Sequence, residues 1–573
     1  MTKLWAIPVA ALFALVTATT AIGSSADVNV TSGSPPTPFS QNKQNEPTIT
    51  ADANTPGVLV AGSNDEIDEQ GCNGSSCPFT QGVGVSGVYF SFDSGASWIQ
   101  PTYTGWSARN CKSGPCTPQS GGPIGTLPWY FENGLVADGD PGVAFGPRLV
   151  NGKFSWAKGS RLYYSNLTSN FSSVRDETVF NGFEAIAVSR TDDVVAAANS
   201  VKGAWMPPLL VSQQSSTTFS DKEQIWADNA SSSPFFGNVY LCWAKFQSQL
   251  TSHAAPAQLQ VAVSSDGGDT WNTSPIGAAA DNAQRSPLDG CTVRTDSKGN
   301  AYVFGVGTVS SLGKAHFELM STSGDGGLTW SSPVPVSGPV TQPGIFDAVL
   351  GRPIIDGVAG ARSDLAWAPS VDIANGAPTG ADATDRIVMS YVSGTIDAPH
   401  VFFTESIDRG STWSARRAIE TGATDRGYYT APAISPNGTD VYVVYNAFTT
   451  PYRSNTSDPR NLVGVVLHAD VTGASTGTFA EIHRGASGDP RGSSQNNLKG
   501  EFLGDYVYAT ATRTYGAAVW NDARNAADCP AVDTWRISLR GAGGVPKPAP
   551  LAVCPANFGN SDIFGGAFTD PTP

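Results

Sequence analysis

Acids number 49 in this chain of 573 residues, and several of them recur at one point of a loose strand–turn–strand pattern. Glu46, Asp140, Glu223 (beside Asp221 and Lys222), Asp289 and Asp364 each stand just ahead of a short β-prone run. Glu501 and Asp505 stand ahead of another, and Tyr428 and Tyr429 hold the same place in one copy. Three chemistries fit such a set. A ring of acids can hold a hard cation, since calcium takes about six to eight oxygens. It can supply the acid and the base or nucleophile of a glycosidase, which needs two carboxylates across the scissile bond. Or each acid can simply accept hydrogen bonds from neighbouring loop amides. Glu46, Asp140, Glu223 and Asp505 are the candidates for acid, base or nucleophile, with no order among them. Tyr506, Trp226 and Trp520 could stack on a sugar face, and either tryptophan could equally be core. Arg352 and Arg524 are candidate ligand-binding cations, with Arg362 and Arg426 beside them in the reckoning. Other chemistries lack their motifs: there is no Gly-x-Ser-x-Gly elbow, no phosphate-binding Gly-x4-Gly-Lys-Ser/Thr loop and no His-Glu-x-x-His. His253, His316, His400, His468 and His483 are scattered and read as surface or loop residues.

The elements that would position these side chains are short strands. Glu46–Asp52 before Gly57–Val60, Asp140–Phe145 before Lys153–Trp156, and Ile225–Asp228 before Gly237–Trp243 show the pattern. So do Cys291–Asp296 before Asn300–Phe304, Ala431–Ser435 before Asp440–Tyr445, and Phe502–Tyr508 before Gly516–Trp520. Weaker copies begin near Phe183 and Asp364. A tighter repeat lies between them. Ser91–Trp98, Ser264–Trp271, Ser323–Trp330 and Ser406–Trp413 all read Ser-x-Asp-x-Gly-x-Ser/Thr-Trp. Asp caps a tight turn, Gly supplies its positive φ, and Trp fills the space between neighbouring sheets.

Those four segments match the Asp-box, or BNR repeat, and the chain resembles secreted proteins of the sialidase-like β-propeller superfamily. The resemblance implies an all-β fold of about seven four-stranded blades, with six or eight as alternatives. It places each box in the turn between third and fourth strands, on the face away from the site, so the box aspartates are structural. It also implies a site of three arginines, a Tyr–Glu nucleophile pair and an acid/base Asp. The first arginine belongs to an Arg-Ile-Pro segment, where this chain reads Asn45-Glu46-Pro47. A carbohydrate-active glycoside hydrolase at the channel mouth is therefore expected, with an exo-sialidase not favoured. The alternative is a non-catalytic glycan- or protein-binding propeller with calcium at its acidic ring.

Composition narrows the partners. A length of 573 residues exceeds what one compact core supports, and a ring of modules accounts for it. The 62 glycines and 40 prolines suit short strands and turns. A net charge of −15 argues against nucleic acid and anionic lipid. A carbohydrate or glycoconjugate is the expected partner, with no cofactor required and calcium possible. Residues 1–26 read as a secretory signal: Lys3, an apolar run from Leu4 to Val16, then small residues. Residues 27–44 are expected as a leader, 45–545 as the propeller and 546–573 as a loosely packed tail. The cysteines fall in close pairs, Cys72/Cys77, Cys111/Cys116, Cys242/Cys291 and Cys529/Cys554, consistent with disulfides in an exported protein. Spacing alone leaves the connectivity open.

Overall fold

A computed structural model describes residues 25–171, 178–212, 215–247, 257–280, 289–456, 458–541 and 543–572. Seven of the nine sheets among the described residues are arranged as the blades of a β-propeller, and the other two are two-stranded hairpins. The third blade shows the plan: Phe219–Ala227 is innermost, followed outward by Val239–Phe246, Ala257–Ser264 and Asn272–Ala280, each antiparallel to the last. The fourth blade repeats it from Asp289–Thr295 to Val334–Val340, and the fifth from Ser370–Ile373 to Arg417–Ala418. In the first blade the outer strand shrinks to one bridge, Phe90 with Ile99. The second and sixth begin with Gly142–Val150 and Arg426–Ile434. Alternation of Val, Ile, Tyr and Ala buries both faces of these sheets against the neighbouring blades.

The four Ser-x-Asp-x-Gly-x-Ser/Thr-Trp segments follow the third strands of the first, third, fourth and fifth blades. In one of them Asp325 accepts from the Thr329 amide at 2.9 Å, and Ser323 Oγ accepts from the Gly327 amide at 2.9 Å. The Thr329 hydroxyl and amide and the Ser323 hydroxyl, all donating to it, pull the Asp325 carboxyl down to about 2.

The seventh blade redraws the expected boundaries. Its inner strands are Tyr508–Ala511 and Tyr515–Asp522. Its third is Asp562–Thr569 and its outermost is Ser25–Asn29. The expected tail thus supplies a central strand, because Ile563, Ala567 and Phe568 are apolar and bury in the blade. The expected leader supplies the edge strand, and Gln41 to Asn45 are buried beyond it. Residues 1–24 of the expected signal lie outside the described residues. The copy near Phe183 is also reassigned: Ala185–Thr191 is the third strand of the second blade, not the start of another. A helix, Pro530–Leu539, sits in the insertion between Asp522 and Asp562, although no helical period marks it in sequence.

All eight cysteines are paired: Cys72–Cys77, Cys111–Cys116, Cys242–Cys291 and Cys529–Cys554. Cys242–Cys291 joins the second strand of the third blade to the first strand of the fourth. No helix among the described residues is long and apolar enough to cross a membrane.

Candidate active site

Near their upper ends several innermost strands slip register by a bulge, at Asn45/Thr48, Asp221/Gln224, Asp289/Thr292 and Gly427/Tyr429. The left-handed conformation recurs there and just before the second blade: φ is 56° at Glu46, 51° at Asp140, 59° at Lys222 and 61° at Gly290. For Glu, Asp and Lys that conformation costs on the order of 1–3 kcal/mol, and such outliers gather at functional sites. Here they aim Glu46, Asp140 and Lys222 at one point.

Lys222 Nζ lies 2.7 Å from Asp140 Oδ2, 2.8 Å from Asp505 Oδ2, 3.6 Å from Glu46 Oε1 and 3.8 Å from Asp221 Oδ1. Arg362 completes the cluster, its guanidinium 2.7 Å from Glu46 Oε1 and 3.1 Å from Asp505 Oδ1. Tyr429 Oη donates to Asp505 Oδ1 at 3.2 Å and to the Arg362 carbonyl at 2.8 Å. Asn64 Nδ2 donates to Glu46 Oε2 at 2.8 Å, and the Asp140 amide donates to Asn64 Oδ1 at 2.7 Å. Gly504 makes this approach feasible: its φ is 81°, and a Cβ there would stand 1.8 Å from Glu46 Cγ.

The protonation states diverge within the cluster. Burial, with Asp140 alongside, pushes Glu46 up to about 8 against the pull of Lys222 and Arg362. Burial also works to raise Asp505, but Arg362 and Lys222 outweigh it and hold that carboxyl well below the usual range. Burial opposes the Lys222 charge, yet Asp140, Asp221, Asp505 and Glu46 keep the ammonium above its ordinary value. Burial lifts Asp289 to about 6.

Above the cluster opens a cavity of about 480 Å³. Its carboxylates are Asp221, Asp289, Asp364 and Asp505, and its cations Lys222, Arg352 and Arg362. Glu46 and Asp140 are buried beneath and do not line it. Glu223 turns into the channel below, where neither carboxyl oxygen has a hydrogen-bond partner and burial drives its pKa well up. Four candidates from sequence thus resolve into one carboxylate facing the cavity, two supporting it from below, and one outside the cluster.

The candidate ligand-binding residues divide too. Arg352 lines the cavity, 3.3 Å from Asp364. Tyr506 backs the cluster, its ring 5.9 Å from Lys222 Nζ. Trp226 is at the other end of the channel, under the Arg294 guanidinium at 4.6 Å and lining a cavity of about 190 Å³. Trp520 is fully buried between the sixth and seventh blades, against Gly464, where a Cβ would stand 2.3 Å from its ring. It can stack on no sugar. Arg524 pairs with Asp522 at 2.7 Å and with Asp27 at 2.9 Å, fastening the edge strand instead of facing the mouth.

Sequence reasoning missed the cavity wall. Trp367, His316 and Phe346 line it, with Trp367 and His316 rings 4.6 Å apart and Phe346 two-thirds exposed. Phe346 and Trp367 come from the insertion between the fourth and fifth blades, built around the hairpin Ile345–Asp347/Arg352–Ile354. The wide gap between Trp330 and Trp413 was the available signal. Calcium at the acid ring meets a centre already taken by Lys222 and Arg362. Among the described residues, the group able to hold a metal is Asp440, His468 and Asp470 of the sixth blade with Asp570, just past the third strand of the seventh.

No family model and no curated protein matches the chain. Solved structures do. A Trypanosoma rangeli sialidase in complex with the inhibitor DANA is 14% identical over 75% of this chain and 55% of its own, TM-score 0.36. The chain thus spans about half the length of that protein. A Ruminococcus gnavus intramolecular trans-sialidase is 11% identical over 81% of this chain and 98% of its own, TM-score 0.41. A Penicillium chrysogenum α-L-arabinanase is 10% identical over 75% of this chain and 92% of its own, TM-score 0.35.

Proposed function

We propose that this chain is a secreted, carbohydrate-active propeller that hydrolyses glycosidic bonds at the channel mouth. One observation carries the reading: Asp289 and Asp505 face the same cavity with their proton affinities driven apart. Such divergence is how one site keeps an acid and a carboxylate together. Asp289 gives its proton to the glycosidic oxygen as the bond to the anomeric carbon breaks. Asp505 faces the positive charge that develops on the sugar, and water supplies the hydroxyl to the anomeric carbon while its remaining proton returns to Asp289. Tyr429, Arg362 and Lys222 position Asp505; Glu46 and Asp140 position the two cations. Trp367 and Phe346 offer apolar faces to the ring. Four disulfides and the N-terminal apolar run support export.

An exo-sialidase is the narrower version, and the charges speak against it. Arg362, Arg352 and Lys222 are each already paired with a carboxylate. A substrate carboxylate would also meet Asp221, Asp289 and Asp364. A neutral sugar fits better. The binding-only alternative would keep the same mouth with no turnover.

Aryl glycosides, sialosides included, distinguish these readings. Wild type should turn over at least one, with a rate that falls above about pH 6 as Asp289 ionises. Asp289→Asn and Asp505→Asn should each lose on the order of 10²–10⁴-fold. No turnover across the panel, or full activity in both variants, would defeat the hydrolase reading.

A further inference from the structure

A further cavity, of about 430 Å³, is lined by residues of the first blade's disulfide loop and the Gln495–Phe502 segment. Phe79 stands two residues after Cys77 and is more than half exposed, an unusual place for a bare phenyl ring. The loop is fixed: Cys72–Cys77 closes it, and the Thr80 amide donates to Glu69 at 2.7 Å. Opposite stands Phe502. Between the two rings Lys43 Nζ is immobilised, 2.6 Å from Glu66 Oε1 and 2.7 Å from Asn496 Oδ1, and 5.8 and 5.1 Å from the ring centroids. Gln495 and Asn497 bring amide groups to the wall, and Lys547 brings a cation. No carboxylate is among the lining residues described.

The volume falls within the roughly 300–1,000 Å³ of small-molecule sites. Two ring faces, two amides and an ammonium on a pre-set loop suit a flat ligand with one apolar face and a rim of hydroxyl oxygens. We infer that this cavity binds a pyranose residue of an oligosaccharide whose other end occupies the mouth. The two cavities share a wall: the Phe502 ring lines one, and the Arg362 guanidinium packed on it at 4.8 Å lines the other. A chain crossing that wall would gain from both sites at once. The inference rests on the carbohydrate reading of the mouth, though not on its being catalytic.

Calorimetric titration of the full-length protein with cellohexaose, chitohexaose and hexagalacturonate, and with the matching disaccharides, tests it. At least one hexamer should bind, and Phe79→Ala and Asn497→Ala should each weaken it about ten-fold. Disaccharide binding and aryl-glycoside turnover should stay as in wild type. Hexamer binding that depends on Phe79 in a protein without turnover would sink the hydrolase reading and leave this one standing. Equal hexamer affinity in wild type and both variants, or no binding of any hexamer, would overturn it. Phe79 and Asn497 are exposed, so an unchanged melting temperature separates lost binding from lost folding.

Discussion

Glu46 sits in a left-handed backbone conformation with its carboxyl sealed between Asn64 and Arg362, and its proton is held up to about 8. An unfolded glutamate loses that proton near 4.5. Between these values the folded chain binds the extra proton, so stability from this site is full below about 4.5 and declines as pH rises toward 8. Glu46→Gln keeps the neutral shape and removes the titration. Melting curves from pH 5 to 9 should therefore fall less steeply for the variant, which should gain a few degrees on wild type at pH 9. A variant weakened by one constant margin at every pH would mean that ionised Glu46 is required. Position in the repeat put Glu46, Asp140 and Asp505 among the candidates that the fold brings together, but it put Glu223 there too, which lies outside the cluster. Lys222 was harder to read, because a lysine between Asp221 and Glu223 looks like a solvated surface charge until a bulge turns it inward. Trp520 was open between a sugar-stacking and a core role, and Gly464 on the neighbouring strand decides for the core by making room for a buried indole.

Among the elements, the third- and fourth-blade inner strands matter most to the site, since they carry Lys222 and Asp289. Cys242–Cys291 ties the strand beside the first of these to the second, two residues past Asp289, and Cys291 Sγ lies 3.7 Å from the Lys222 carbonyl. Replacing both cysteines by alanine opens a loop of 49 residues and should cost about 4 kcal/mol in denaturant unfolding. It should also raise KM and lower kcat together, as the carboxylate loses its fixed distance from the lysine. Unchanged stability would show that the blade interface alone sets this geometry. The turn segments were legible because Asp, Gly and Thr act within five residues of one another. The insertion bearing Phe346 and Trp367 was not, because its contribution depends on where the ring brings it, and nothing local encodes that.

For the whole molecule, closure depends on Ser25–Asn29 pairing with Asp562–Thr569, reinforced by Arg524 to Asp27 and by the Val30 amide to the Ile563 carbonyl at 2.9 Å. A chain starting at Thr31 would leave the last blade with an exposed edge and Val30's buried place empty. It should melt several degrees lower and be cut by protease between residues 523 and 561 faster than wild type. Equal resistance would mean that three strands suffice. The pairing also sets an order of events during biosynthesis. The strand that latches the ring precedes the other six blades in the chain and its partner follows them, so the latch forms only after all six have been made. A chain that stops early is an open arc whose first and last blades present uncovered apolar sheet faces. A chain that ends before Asp562–Thr569 lacks the partner of Ser25–Asn29 and cannot complete the last blade.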